Sequence, residues 1–201
     1  MRRQRVSLIV FAKAPVGGSV KTRLARDIGM AVASAWYRRT LNRTLTMLAG
    51  ARLDHEIAAA PSAAKFRETC GADRKLTTQA AGDLGRRMGS AAKRAGGPSL
   101  IFGVDIPGLS PAILDQAREA VLRCDLVLGP ARDGGFYLVG VKTPAHVFRL
   151  YDNVRWSSEH ALADTLANAP KHWRIHLLPM LQDVDVAADL DRPAQRTAVA
   201  L

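Results

Sequence analysis

The apolar run Val6–Val10 opens directly into Phe11-Ala12-Lys13-Ala14-Pro15-Val16-Gly17-Gly18-Ser19-Val20-Lys21-Thr22-Arg23. A buried strand therefore ends in a turn that carries both glycines and cations. Gly17 and Gly18 free the backbone to approach a ligand closely. Lys13, Lys21 and Arg23 bring three positive charges to one short loop. Strand, glycine turn, cations and helix start together suit a cradle for a phosphate chain. The same residues also read as a surface loop of solvated charges. Two common phosphate loops are excluded. A P-loop needs Gly directly before Lys-Thr, and Val20 stands there; Gly17-Gly18-Ser19 lacks the G-x-G-x-x-G spacing.

Downstream, apolar segments and helical periods alternate. Val6–Ala12 is the first strand. Ala31–Leu48 predicts a helix with Tyr37, Leu41, Leu45 and Leu48 on one face. His55–Ala60 predicts a strand, and Ser62 caps a helix through Cys70. Leu76–Gln79 is a short strand, and Leu84, Met88, Ala91 and Ala95 recur at helical spacing until Gly96-Gly97-Pro98. Ser99–Val104 is a strand ending at Asp105, and Ser110-Pro111 starts a helix to about Arg123. Asp125–Gly129 and Phe136–Val141 are strands joined by a glycine-rich reversal, which suggests a hairpin. Ser157 or Ser158 opens a helix to about Asn168; Arg174–Leu178 is a late strand, and Val186–Leu190 a last helical turn. This alternation predicts an α/β three-layer sandwich with a mostly parallel central sheet, one domain over residues 1–201. In such sheets ligands bind at the carboxyl ends of strands, where the first loop and Asp105 both fall.

Charge and cysteine usage narrow the functional classes. The formal net charge of +11 reads as a nucleic-acid partner, as a nucleotide or another anionic small molecule, or as an arginine-rich composition with no partner behind it. The basic residues are dispersed and aromatics make up only 5%, so a nucleic-acid stacking platform is disfavoured. Cys70 and Cys124 have no neighbouring Cys or His at metal spacing, which argues against zinc and for reduced thiols in a cytoplasmic protein. No apolar run reaches membrane-span length. The five histidines sit in no nucleophile motif, and no G-x-S-x-G elbow occurs, which disfavours a serine hydrolase.

Acidic residues supply the remaining chemistry. Asp105, in Gly103-Val104-Asp105-Ile106-Pro107-Gly108, follows a buried strand, where an acid serves a site or a cap. Beside a phosphate cradle it suits Mg²⁺ or Mn²⁺; as a cap it would close the turn before Pro107. Asp183 and Asp185 share a face if their segment is extended, and either could complete a metal site or belong to an acidic surface. A structural turn explains the glycines of Gly129–Tyr137 but accounts less well for Arg132 and Asp133. Gln79 and Gly82-Asp83-Leu84-Gly85 form a second polar loop framed by glycine.

Taken in order, these pieces resemble the DUF2064 family of the GT-A, nucleotide-diphospho-sugar transferase superfamily, some of whose members are labelled arsenosugar-biosynthesis glycosyltransferase. The matching segments are residues 11–25, 79–88, 103–111 and 129–141, Trp156-Ser157-Ser158, and residues 178–190. The first loop also looks like that of guanylyltransferases making cofactor F420 precursors, and the molybdenum-cofactor guanylyltransferases are more distant relatives. The resemblance implies a Rossmann-like GT-A fold. It maps the phosphate-holding loop onto Gly17, Gly18, Lys21 and Arg23, and the metal-binding acid onto Asp105. A second metal-side acid falls on Asp185. The usual Asp-Val-Asp-Thr-Pro-Glu-Asp run is broken here by Val186-Ala187-Ala188-Asp189, which alters the following helix cap but leaves both acids.

Three functions follow as expectations. The first is a metal-dependent transfer of a nucleotidyl group from an NTP to a small anionic acceptor, releasing pyrophosphate. Lys21, Arg23 and Asp105 are then catalytic; Lys13, Gly17, Gly18, Gln79 and Asp83 join Lys21 and Arg23 on the nucleotide; Asp133, Gly134 and Gly135 meet the acceptor; Asp105 and Asp185 hold Mg²⁺ or Mn²⁺. The second is a glycosyltransferase using a nucleotide-diphospho-sugar donor, disfavoured because Asp183-Val184-Asp185 lies too near the C-terminus for the usual D-x-D and the strand before Asp105 brings a single acid. The third is a non-catalytic nucleotide- or RNA-binding module.

Overall fold

Both faces of the central strands are apolar, and this decides the layering. In the computed structural model, which describes residues 5–16, 18–71, 75–145, 147–182, 184 and 187–189, β1 (Ser7–Lys13) sends Leu8, Val10 and Ala12 to one face and Ile9 and Phe11 to the other. β4 (Ser99–Gly103) does the same with Leu100 and Phe102 against Ile101. A strand buried on both sides needs helices on both sides. The remaining strands are β2 (His55–Ala60), β3 (Leu76–Thr78), β5 (Leu126–Pro130), β6 (Phe136–Val141) and β7 (Ile175–Leu177). Among the described residues the strands form one seven-stranded sheet in the order β3-β2-β1-β4-β6-β5-β7. β6 runs antiparallel to its neighbours β4 and β5, and every other pairing is parallel. The mostly parallel α/β sandwich expected from the sequence is therefore the fold found.

The helices divide between the faces. α2 (Met30–Gly50), α3 (Ala63–Cys70) and α5 (Pro111–Arg123) cover the face of Leu8, Val10 and Phe102. α4 (Leu84–Ala95), a 3-10 turn at Val147–Tyr151 and α6 (Ala161–Asn168) cover the opposite one. The crossover therefore changes face between β1 and β4. That is the switch point at which open α/β sheets leave a crevice at their carboxyl ends.

Local signals place most boundaries. Ser62 accepts from the Lys65 N–H at 3.1 Å and starts α3; Ser110 accepts from the Ile113 N–H at 3.4 Å and starts α5. Tyr37, Leu41, Leu45 and Leu48 are all buried along α2, as their spacing predicts. Three differences stand out. The first helical segment is split, α1 (Thr22–Ile28) being separated from α2 by Gly29. The 3-10 turn at Val147–Tyr151 carries no period long enough to announce it. Finally, α6 begins at Ala161 rather than at Ser157 or Ser158. Ser157 takes a left-handed φ of 60°, and the Ser158 hydroxyl is engaged locally, donating to the Arg155 carbonyl and accepting from the His160 N–H.

The face carrying α4 is shaped by missing side chains. A Cβ on Gly85 would stand 2.5 Å from the Tyr151 Cβ and 3.0 Å from the Trp156 ring. The glycine lets Tyr151 and Trp156 lie directly on α4, where their rings pack 5.9 Å apart between centroids. This contact sets one wall of the crevice.

Candidate functional site

The crevice is a cleft of about 720 Å³ at the carboxyl ends of the parallel strands. Its first wall is built from β1 outward. The Tyr37 hydroxyl reaches from α2 to the last residue of β1, accepting from the Lys13 N–H at 2.8 Å and donating to the Lys13 carbonyl at 3.1 Å. Burial pushes the Tyr37 hydroxyl well above its ordinary pKa, so it stays protonated and keeps that double bond. The loop then folds back on itself. Ala14 and Val20 are buried, the Ser19 hydroxyl donates to the Val16 carbonyl, and the Arg38 guanidinium donates to the Pro15 carbonyl at 2.7 Å. These contacts anchor the loop backbone, while the side chains of Lys13 and Arg23 stay exposed.

Lys21 ends the loop in a left-handed conformation, φ 48° and ψ 48°, directly before α1. For a residue with a side chain this costs about 1–3 kcal/mol and persists only where the surroundings impose it. The result is a placed ammonium. Its Nζ lies 2.6 Å from Asp105 Oδ2 and 5.9 Å from the centre of the Trp36 ring, with the Lys21 side chain only 6% exposed. Asp105 arrives from the other side of the switch point, past the end of β4. The Thr44 hydroxyl of α2 donates to the Val104 carbonyl at 3.3 Å and fixes that exit. Arg23, in the first turn of α1, also lines the cleft, as does Lys13.

The second wall comes from α4, the β5–β6 reversal and the segment 156–159. Leu84, Arg87, Met88, Phe136 and Trp156 line it, with the Phe136 and Trp156 rings edge to face at 6.1 Å. Gln79 lies between the walls. Its amide nitrogen donates to the Ala58 carbonyl at 2.8 Å, and its oxygen accepts from Arg87 at 3.2 Å. Gln79 therefore holds the end of β2 and steers the Arg87 guanidinium. Asp133 and Gly135 face the cleft, the Asp133 carboxylate accepting from the Gly135 N–H at 2.8 Å.

The structure thus brings Lys13, Lys21, Arg23, Gln79, Asp105, Asp133 and Gly135 to one cleft. Gly18, Asp83 and Gly134 lie outside its walls. Gly18 turns toward Met30, and the Asp83 carboxylate accepts from the Arg86 N–H at 2.8 Å as the cap of α4. Gly134 packs on the Glu159 backbone. Gly17 and Asp185, together with Asp183, lie outside the described residues. Sequence reasoning did not single out Arg87 or Tyr37 for the site. Arg87 stands four residues after Asp83, so its helical spacing was the available signal. Tyr37 carries a hydroxyl on an otherwise apolar helix face.

A divalent cation fits what is present. Among the described residues no group of three or more His, Cys, Asp or Glu could hold one. Mg²⁺ and its like, however, are commonly held by one or two carboxylates plus the phosphates of a substrate. Asp105 is a hard oxygen donor at the mouth of a cationic loop, and a metal arriving with phosphates needs little more from the protein.

Arg155 fixes the segment that carries Trp156. Its backbone N–H and its guanidinium all donate to the Asp164 carboxylate, at 2.7–3.0 Å. These bonds hold the Asp164 carboxyl down to about 2 from an ordinary 3.8. A depressed carboxyl contributes stability above its unfolded pKa and loses it as pH falls through the folded one. The stability difference between the wild type and Asp164→Asn is therefore expected to be constant near neutral pH and to close as pH falls from about 3.8 to about 2. Denaturant melts of both proteins across that interval measure it; a gap independent of pH would show that Asp164 is not the group responsible.

Residues 43–158 match the family described as "uncharacterized protein conserved in bacteria (DUF2064)". No curated protein matches the chain. Among solved structures, the chain is similar to a protein from Desulfovibrio desulfuricans G20 provisionally assigned as a nucleotide-diphospho-sugar transferase. The two are 29% identical, with a TM-score of 0.84, over 92% of this chain and 84% of that one. Rv0371c of Mycobacterium tuberculosis H37Rv, in complex with manganese, is 16% identical, TM-score 0.51, over 93% and 96%. A CMP:2-keto-3-deoxy-manno-octonic acid synthetase complexed with CTP is 12% identical, TM-score 0.52, over 94% and 96%. At such identities the last two show a shared fold.

Proposed function

The chain belongs to the bacterial DUF2064 family, and from its cleft we propose that it is a metal-dependent transferase that moves a nucleotidyl group from an NTP to a small anionic acceptor. One observation carries the reading: the cationic β1–α1 loop meets the carboxylate at the end of β4, Lys21 against Asp105, across the switch point of the sheet. The acceptor oxygen attacks the α-phosphorus, the bond to the bridging α–β oxygen breaks, and pyrophosphate leaves with the electron pair. Lys21 and Arg23 neutralise charge that grows on the phosphate oxygens in that transition state. Asp105 would hold Mg²⁺ or Mn²⁺, which supplies further charge neutralisation and alignment. Lys13 extends the cationic wall along the phosphates. Arg87, positioned by Gln79, and the Asp133–Gly135 turn face the acceptor side. The CTP-bound neighbour and the manganese complex support a nucleotide and a divalent metal as partners.

A second reading keeps the site and changes the bond. The similarity to a provisional nucleotide-diphospho-sugar transferase favours a sugar-nucleotide donor, from which the sugar is transferred and a nucleoside diphosphate released. Thermal stabilisation by each class of ligand with Mg²⁺ separates the two, because a ligand that binds only the folded state raises the melting point by mass action. Greater stabilisation by a bare NTP supports nucleotidyl transfer; greater stabilisation by a nucleotide sugar supports glycosyl transfer.

Titration of loop variants with NTP at saturating Mg²⁺ tests the phosphate role. Lys21→Ala and Arg23→Ala are each expected to weaken binding by roughly 1.5–3 kcal/mol, the range for hydrogen bonds to charged groups. Arg23→Lys is expected to restore only part of the loss, since an ammonium cannot reproduce a planar two-point grip. Wild-type affinity in both alanine variants would remove the loop from the nucleotide site.

A further inference from the structure

We propose that Lys21 competes with the divalent cation for Asp105, and that an NTP relieves this competition by drawing the ammonium to its phosphates, so that metal and nucleotide bind with strong positive coupling. The inference rests on the assignment of Asp105 as the metal-side acid.

The geometry makes Lys21 a strong competitor. Its Nζ is already 2.6 Å from Asp105 Oδ2. Mg²⁺ sits at about 2.0–2.1 Å from its oxygens. A divalent ion on that oxygen would therefore share it with a full positive charge a few ångströms away. The other oxygen, Oδ1, lies against Gly103, 3.0 Å from where a Cβ on that glycine would stand. The ammonium is also held in place. The Lys21 side chain is 6% exposed, its backbone takes the left-handed conformation ahead of α1, and its ammonium lies 5.9 Å from the centre of the Trp36 ring. Such a group leaves its carboxylate readily only for another anion within reach. A triphosphate laid along Lys13, Lys21 and Arg23 is such an anion. Once Lys21 turns to it, Asp105 and the phosphates together offer the metal a set of hard oxygens.

Coupling of this kind is reciprocal, so each ligand must raise the affinity for the other by the same factor, commonly 5–150-fold between linked sites. The device would keep a cation from settling on Asp105 by itself and would admit it with the nucleotide.

Mn²⁺ binding, read by electron paramagnetic resonance or calorimetry without any turnover, tests the idea in wild type, Lys21→Met and Lys21→Gly. The glycine variant accepts the left-handed backbone and guards against a methionine variant that folds poorly. Both are expected to bind Mn²⁺ alone about tenfold more tightly than wild type, and a non-hydrolysable NTP analogue is expected to raise Mn²⁺ affinity less in them than in wild type. Unchanged or weaker Mn²⁺ affinity in both folded variants would overturn the proposal. Asp105→Asn separates this from the underlying assignment. Loss of Mn²⁺ binding in Asp105→Asn keeps Asp105 as the metal ligand whatever Lys21 does. Retained binding removes Asp105 from the metal site, and the competition falls with it.

Discussion

Asp105→Asn is expected to lower Mg²⁺-dependent nucleotide affinity by about a hundredfold or more while the protein stays folded. The factor corresponds to about 3 kcal/mol, the upper end for hydrogen bonds to charged groups. The fold is expected to survive because packing on this loop is carried by Val104 and Ile106, which are buried on either side, while Asp105 keeps a third of its side chain in solvent. Removing one partner of a buried ion pair leaves the other charge uncompensated, which by itself costs several kcal/mol. Here the asparagine amide oxygen can still accept from Lys21, and the partial exposure screens the rest. A fall in melting temperature of about 5 °C or less is therefore expected for a chain of this size. Calorimetric titration with NTP, with and without Mg²⁺, reads the affinity, and circular dichroism reads the fold. Undiminished Mg²⁺-dependent affinity in the folded variant would return Asp105 to the role of a turn residue before Pro107. Gross unfolding would make it a structural cap.

How far the sequence leads depends on the range of the interaction that sets each feature. Strands and helices were legible because their causes are local. Val6–Ala12 is apolar on both faces, α2 repeats Tyr37, Leu41, Leu45 and Leu48, and Ser62 and Ser110 supply caps within three residues of the N–H groups they satisfy. The start of α6 differs because Ser158 has the chemistry of a cap but spends its hydroxyl on the Arg155 carbonyl, and Arg155 is itself bonded to Asp164, nine residues further along the chain. In the site, Lys21, Arg23 and Asp105 stood out because charged groups at the carboxyl ends of strands are conspicuous in any α/β chain. Asp83 looked the same in sequence, yet it caps α4. Arg87 and Gln79 form one unit only after β3 and α4 are placed, and Tyr37 could not be told from a core residue until β1 ended beneath its hydroxyl.

Gly134→Ala is expected to be the most destabilising small substitution in the cleft region. Gly134 forms the tip of the β5–β6 reversal with φ 82°, a backbone conformation that costs an alanine about 1–2 kcal/mol. Strain is the smaller part. A Cβ at this position would fall 2.5 Å from the Glu159 Cα and carbonyl carbon, and closer still to the carbonyl oxygen. These are backbone atoms, so no side-chain rotation relieves the clash, and the tip and the segment 156–159 must move apart. Their separation also breaks the bond from the Leu162 N–H to the Gly134 carbonyl, now 2.9 Å, which ties the tip to the start of α6. Strain, clash and the lost bond together are expected to cost roughly 4 kcal/mol, near the upper end for a point mutation. For a chain of this size that corresponds to a fall in melting temperature of about 8–16 °C. Gly135→Ala is the matched control. The nearest atoms its Cβ would meet belong to the Asp133 carboxylate, at 3.1 Å, a side chain that can shift at the expense of its bond from the Gly135 N–H. Calorimetric melts of the two variants give the comparison. Equal and small effects would show that the tip yields freely. The Trp156–Glu159 wall would then owe its position to the Arg155–Asp164 bonds and to the packing of Trp156 on α4, and not to the hairpin.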